Sequence, residues 1–146
     1  MQIAILGAGV AGVSAAIALT VRGHAVQIYE RRQATSTLGA GVTLWPNATF
    51  VLAELGILDR VRAVSGRPWS MQRFDAAGAP LGAIDIRAID EHMGHPTLSI
   101  LRNDLQRVLL DRLGELGVVV SYGRVASEVG ERGAPLCANV AETPAT

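Results

Sequence analysis

The sequence predicts an α/β fold in which helices cover a parallel sheet and a β-hairpin leaves it. Three observations lead there. A short aliphatic strand, Gln2 to Leu6, runs directly into a glycine-rich turn and a helix that extends to about Arg22. Gly23 ends that helix, and a second strand from about Ala25 to Glu30 completes a β-α-β unit of about the thirty residues such a unit requires. Strands joined by a crossover helix run parallel, and the helix covers one face of their sheet. From Gly66 to about Asp85 the pattern changes to short alternating segments split by Ala76, Ala77 and Gly78, the signature of an antiparallel hairpin.

The remaining elements follow from punctuation and periodicity. After Glu30 comes a polar loop, RRQATST. Pro46 suits a first helical turn and Gly56 the residue just past a helix end, which predicts a helix over about 46–55. Leu98 to Leu101 reads as a strand. Asn103 and Asp104 then cap a helix whose Leu105, Val108, Leu109, Leu113 and Leu116 repeat at helical spacing until Gly117 stops it. Val118 to Val120 reads as a further buried strand. Beyond Tyr122 the pattern decays, and residues 123–146 are left as a tail that resembles at most a hairpin.

Composition excludes several function classes. A chain of 146 residues with 49% apolar residues can bury one ordinary domain core. Thirteen acidic residues balance thirteen basic ones, so the basic footprint of a nucleic-acid partner is absent. Every basic residue is arginine, which removes Schiff-base and P-loop lysines as chemistry. Cys137 is the lone cysteine, so neither an intrachain disulfide nor a cysteine-based zinc site is expected, and a reducing, cytoplasmic setting fits. The apolar start lacks the basic region of a signal peptide, and no apolar run reaches the roughly eighteen residues of a membrane span. His92 and His95 share a predicted loop with Gly94 and Pro96, without metal-ligand spacing, and His24 is expected to face water in a turn. Trp45 and Trp69 are expected to pack. No residue is assigned to catalysis or to a metal.

The chemistry lies in the glycine turn. Gly7, Gly9 and Gly12 form G-x-G-x-x-G between a strand and a helix. In such a motif the first glycine makes the turn, the second lets a pyrophosphate approach the backbone, and the third lets helix and strand pack closely. The amides around Val10 and Ala11 would face the phosphates at the positive end of the helix. Glu30 ends the next strand at about the twenty-residue interval where a carboxylate meets an adenosine ribose. Arg31 and Arg32 could meet a 2′-phosphate, but Glu30 would repel it, so FAD or NAD is favoured over NADP. The turn alone does not choose between those two.

Three stretches make the choice: ILGAGVAGVSAAIAL with the acid of VQIYERR, then LGAGVTLWPNATFVLAELGILDRV, then LRNDLQRVLL. In order and separation the chain resembles the flavoprotein monooxygenases of the para-hydroxybenzoate and salicylate hydroxylase type, over nearly all of residues 1–120. The resemblance implies a Rossmann-like FAD-binding domain with nucleotide-binding elements in 1–65 and 97–122, and an excursion in 66–96 toward a substrate domain. It places Gly41 and Val42 against the flavin and brings Arg102, at a strand end before a helix, to the FAD. It also implies the reaction: NAD(P)H reduces FAD, and the reduced flavin with dioxygen hydroxylates a small aromatic or similar electron-rich substrate.

The family's later Asp-Gly and Gly-Asp segments have no counterpart here. A truncated FAD-binding domain is therefore expected, inactive alone, with a complementing chain as one way to supply the remainder. Two other readings share these residues: an FAD-dependent reductase or oxidase of the same fold, and a non-catalytic nucleotide-binding module completed by a partner.

Overall fold

The computed structural model describes residues 1–34, 40–131 and 136–142, with backbone alone for 127–131 and 136–139. The end of the polar loop at 35–37 and the side chain of Cys137 lie outside this description. The chain divides into two compact units, Met1–Leu38 with Gln106–Thr146, and Gly39–Leu105.

The first unit opens with β1 (Gln2–Leu6), α1 (Val10–Val21) and β2 (Ala25–Glu30), as the sequence predicts to within a residue. β1 pairs parallel with β2, and β2 pairs parallel with β7 (Val120–Tyr122), giving the order β1-β2-β7. The crossover helix makes the parallel pairing possible. α1 closes through Gly23, whose φ of +82° a side chain would resist, while the amides of Arg22, Gly23 and His24 take up carbonyls of the last turn. Val13, Ala16 and Ile17 of α1, Ile28 of β2, and Val108, Leu109 and Leu113 of α5 (Arg102–Glu115) are buried. Each large aliphatic side chain buried this way contributes about 1.5–3 kcal/mol.

At the two ends of α5 the structure differs from the sequence expectation. Arg102 is itself the first residue of α5, so Asn103 and Asp104 lie within the first turn instead of capping it. Asp104 still sits where the helix dipole favours a carboxylate. The strand expected at Val118–Val120 starts at Val120, because the amides of Leu116, Gly117 and Val118 are drawn back to α5 carbonyls and Val119 is 81% exposed. The tail forms an antiparallel hairpin, β8 (Arg124–Glu131) with β9 (Leu136–Glu142).

The second unit contains β3 (Gly41–Leu44), α2 (Pro46–Glu54), α3 (Leu58–Ala63), β4 (Ser70–Phe74), β5 (Pro80–Asp85), α4 (Ile86–Met93) and β6 (Leu98–Leu101). β3 and β6 pair antiparallel, and β4 with β5 is the expected hairpin. Its turn is set by Asp75, whose Oδ1 accepts from the amides of Ala77 and Ala79 at 2.9 and 2.7 Å. Gly56, at φ +73°, ends α2 and lets α3 follow. The six residues of α3 are too few to display a period, and the sequence reading missed it.

α4 was missed as well, and His92 therefore belongs to its last turn and not to a loop. Asp85 caps the helix by accepting from the amides of Arg87 and Ala88, and Gly94 in the left-handed region closes it. His95 stands edge-on to Phe50, ring centroids 5.4 Å apart. His24 is half-buried. Trp69 is 59% exposed instead of packed, with the guanidiniums of Arg67 and Arg87 at 5.6 and 6.0 Å from its ring centroid. Trp45 is half-buried at the N-cap of α2. Among the described residues no helix is long and apolar enough to cross a membrane.

A buried polar knot fixes the approach to β6. Thr49 Oγ1 donates to Pro96 O at 2.7 Å, while Thr97 N and Oγ1 donate to Asp90 Oδ1 at 2.8 and 2.6 Å. Arg67 Nη2 stands 3.5 Å from Asp90 Oδ2. Both threonines are fully buried, so α2 and α4 grip the Pro96–Thr97 dipeptide with no competing water. Thr97→Val keeps the shape but strips a donor from a buried carboxylate. A loss of about 1–3 kcal/mol in denaturant unfolding is expected, with Thr97→Ser near wild type.

Candidate nucleotide site

Two of the three glycines of the turn are required by the structure, each for a different physical reason, and the third is not. Gly7 has φ +106°, outside the range of L side chains. At Gly12 an added Cβ would lie 1.9 Å from Gly7 O and 3.4 Å from Ile5 Cγ2, so the first turn of α1 touches the end of β1 backbone to backbone. Gly9 is needed for neither purpose. It is the N-cap of α1 at φ −74°, is exposed, and an added Cβ would meet nothing within 4 Å. What the absence of a side chain there keeps open is the space in front of the helix.

That space suits an anion. No side chain caps α1, and no acidic residue stands in its first turn, so the amides of Val10 and Ala11 retain the positive end of the helix dipole. Open backbone in front of uncapped amides is a place where helix N-termini commonly accept anions.

Glu30 does more than the sequence indicated. Its Oε2 accepts from Ala8 N at 2.9 Å and its Oε1 from Arg32 N at 2.9 Å, so the carboxylate ties the end of β2 to the glycine turn. Burial works against its charge. The amides of Arg32 and Ala8, then the charges of Arg32 and Arg31, outweigh burial and hold the carboxyl below the usual range. An ionised carboxylate offers about four lone-pair sites. Two are used, which leaves acceptors for ribose hydroxyls.

Gln106 is the residue the sequence reading passed over. It is 8% exposed on α5, and its Nε2 donates to Ala8 O at 2.6 Å. Ala8 thus has its N–H held from β2 and its carbonyl held from α5, and Gly7 N donates to Tyr29 O at 2.7 Å. The available signal was a polar residue on an apolar helical stripe, since Gln106 shares a face with Leu109 and Leu113.

The other candidates belong to the second unit. Gly41 and Val42 open β3, paired with Leu101 and Ile100 of β6. Gly41 has no positive φ and no neighbour within 4 Å of an added Cβ, so it repeats the circumstances of Gly9. Arg102 directly follows β6, with its amide donating to Ala40 O at 3.1 Å and its side chain exposed.

These roles separate by mutation. Gly12→Ala forces Cβ into a backbone oxygen and is expected to cost about 1–3 kcal/mol in thermal or urea unfolding. Gly9→Ala is expected to unfold like wild type yet bind ADP at least about ten-fold more weakly, a loss of about 1.4 kcal/mol. Equal stability of both variants would contradict the assignment. Because folding depresses the Glu30 carboxyl, its charge stabilises the fold above the ordinary glutamate value of about 4.3, and that contribution disappears as pH falls through the lower folded value. The stability advantage of wild type over Glu30→Gln is therefore expected at neutral pH and should shrink as unfolding is repeated from about pH 5 to pH 3.

The chain is similar to several known proteins. The chain is 36% identical over 140 residues to the 3-amino-4-hydroxybenzoate 2-monooxygenase of Streptomyces cremeus, covering 90% of this chain and 34% of that protein. It is 32% identical over 138 residues to the 6-hydroxynicotinate 3-monooxygenase of Pseudomonas fluorescens, covering 90% and 34%. The solved structure of Klebsiella pneumoniae HpxO complexed with FAD and uric acid matches with a TM-score of 0.80 at 26% identity, over 98% of this chain and 37% of that one. The chain thus spans about a third of the length of the curated relatives it matches. The family model described as an FAD binding domain matches residues 1–134, and the chain belongs to that family.

Proposed function

We propose that the chain forms the FAD-binding portion of a flavin-dependent monooxygenase that hydroxylates a small aromatic or similar electron-rich substrate with electrons from NAD(P)H. The observation that carries this reading is Gly9, a glycine that neither backbone nor packing requires, at an uncapped helix N-terminus beside a carboxylate with acceptors to spare. Membership of the FAD binding domain family and the relatives' names support it.

In this reading the amides at Gly9, Val10 and Ala11 hold the pyrophosphate, Glu30 accepts from the adenosine ribose, and Arg31 balances the local charge. Gly41 and Val42 offer an open backbone edge to the flavin, and the Arg102 fork meets phosphate or carbonyl oxygens. When bound, the flavin supplies electron transfer and oxygen activation, so the protein's task is placement. Because the relatives are about three times as long, the substrate and NAD(P)H sites are assigned to polypeptide outside these 146 residues, whether of the same chain or a complementing one. The single cysteine supports a reducing, cytoplasmic setting.

The test uses Glu30, whose two duties predict different losses. Calorimetric titration of FAD, 5′-AMP and 2′,5′-ADP into wild type should show FAD and 5′-AMP preferred over the 2′-phosphorylated fragment. Glu30→Ala should lose about ten- to a hundred-fold for 5′-AMP and narrow that preference, because repulsion of the 2′-phosphate goes with the charge. Glu30→Gln should fall between, since one acceptor survives without charge. Unchanged affinities in a folded Glu30→Ala, checked by circular dichroism, would remove Glu30 from the site.

A further inference from the structure

Gln106 lies 98 residues from the turn it contacts, and its amide does one thing there: Nε2 donates to Ala8 O at 2.6 Å. Its side chain is almost fully buried on α5, on the same face as the buried Leu109 and Leu113. A glutamine at a core-facing helical position costs desolvation unless its hydrogen bonds are made, so its presence there calls for a partner that apolar packing could not serve.

Peptide geometry shows what that contact controls. The carbonyl of Ala8 and the N–H of Gly9 belong to one planar trans unit and point in opposite directions. With the carbonyl held toward α5, the Gly9 N–H is aimed away from α5. On the other side of Ala8, the Gly7–Ala8 unit is held through Ala8 N on Glu30 Oε2. Glycine at 9 makes rotation of the Ala8–Gly9 peptide cheap, and a rotation by half a turn would present a carbonyl oxygen where the anion site needs an N–H. An added Cβ at Gly9 would meet nothing within 4 Å, so packing at position 9 does not hold this peptide in place.

We infer that Gln106 is a positioning residue for the diphosphate of the bound dinucleotide: it locks the Ala8–Gly9 peptide so that its N–H, and not its carbonyl, serves the anion. The inference rests on the dinucleotide reading of the turn. It assigns Gln106 no contact with adenine or ribose, and so it separates the phosphate part of binding from the nucleoside part.

The experiment titrates adenosine and ADP into the 146-residue chain as wild type, Gln106→Met and Gln106→Glu, each with a thermal melt. Methionine keeps the length and helix propensity of glutamine without its donor. Gln106→Met should bind adenosine within about two-fold of wild type but ADP about ten-fold more weakly, the effect of one lost hydrogen bond to the turn. Gln106→Glu should show a larger ADP loss at neutral pH, because a carboxylate faces the Ala8 carbonyl. That loss should recover relative to wild type as pH falls and the carboxyl gains a proton to donate. ADP affinity unchanged in both variants would overturn the inference and leave the dinucleotide site standing. Equal losses for adenosine and ADP, without recovery at low pH, would reduce Gln106 to a packing residue. Failure of wild type to bind either ligand would sink the dinucleotide reading itself, and this inference with it.

Discussion

The end of β1 and the first turn of α1 approach so closely that the Gly7 carbonyl occupies the space where a side chain at position 12 would begin. Everything at the site follows from that contact. It requires glycine at 12, and the abrupt reversal into the helix requires the positive φ of Gly7. The helix is thereby started hard against the sheet, with its first amides facing outward. Ala16, a turn further on and fully buried, continues the close contact without a large side chain. Position 9 is bound by neither the φ of Gly7 nor the packing of Gly12, and in motifs of this kind such a position lets a ligand reach the backbone.

A carboxylate beside the proposed anion site looks like an electrostatic conflict. The hydrogen bonds of Glu30 resolve it. Its charge is taken up by two backbone amides, Ala8 and Arg32, and by the flanking guanidiniums of Arg31 and Arg32, which hold it ionised despite burial. What it still offers is acceptor capacity, suited to hydroxyl groups and hostile to a further phosphate. The amides of Val10 and Ala11 carry no such compensation, since α1 has neither a side-chain cap nor an acid in its first turn. Positive and negative functions thus sit side by side because one is internally neutralised and the other is not.

Much of this was legible in the sequence because it depends on local chemistry. The strand, turn, helix and strand of residues 2–30 are written in glycine spacing and aliphatic runs, and the structure places them within a residue of expectation. The hairpin of β4 and β5 was legible for the same reason, since Asp75 and Gly78 carry the turn. α3 was not, because six residues show no period. α4 could have been read from Asp85 and Gly94, its two end signals, but Gly94 and Pro96 read as a loop around His92 and His95. Val119 illustrates a different failure: three consecutive valines look like a buried strand, yet the end of α5 captures the amides before them. The second duty of Glu30 and the role of Gln106 depend on partners 22 and 98 residues away, which no local pattern reports.

Those two distant contacts explain why a G-x-G-x-x-G is weak information by itself. Three glycines make a turn possible and leave it free to adopt other peptide orientations, since glycine gives up the most conformational freedom when it is ordered. Here the turn is clamped at Ala8 by side chains from β2 and α5, and at Gly7 by the carbonyl of Tyr29. Neither β2 nor α5 can act on the turn until the parallel sheet and its helices have assembled. The cost of ordering the amides is therefore met in folding, and a diphosphate bound there as proposed would not have to meet it again. The core of the first unit and its glycine turn are joined through one alanine, itself buried, whose backbone donor and acceptor are both fixed.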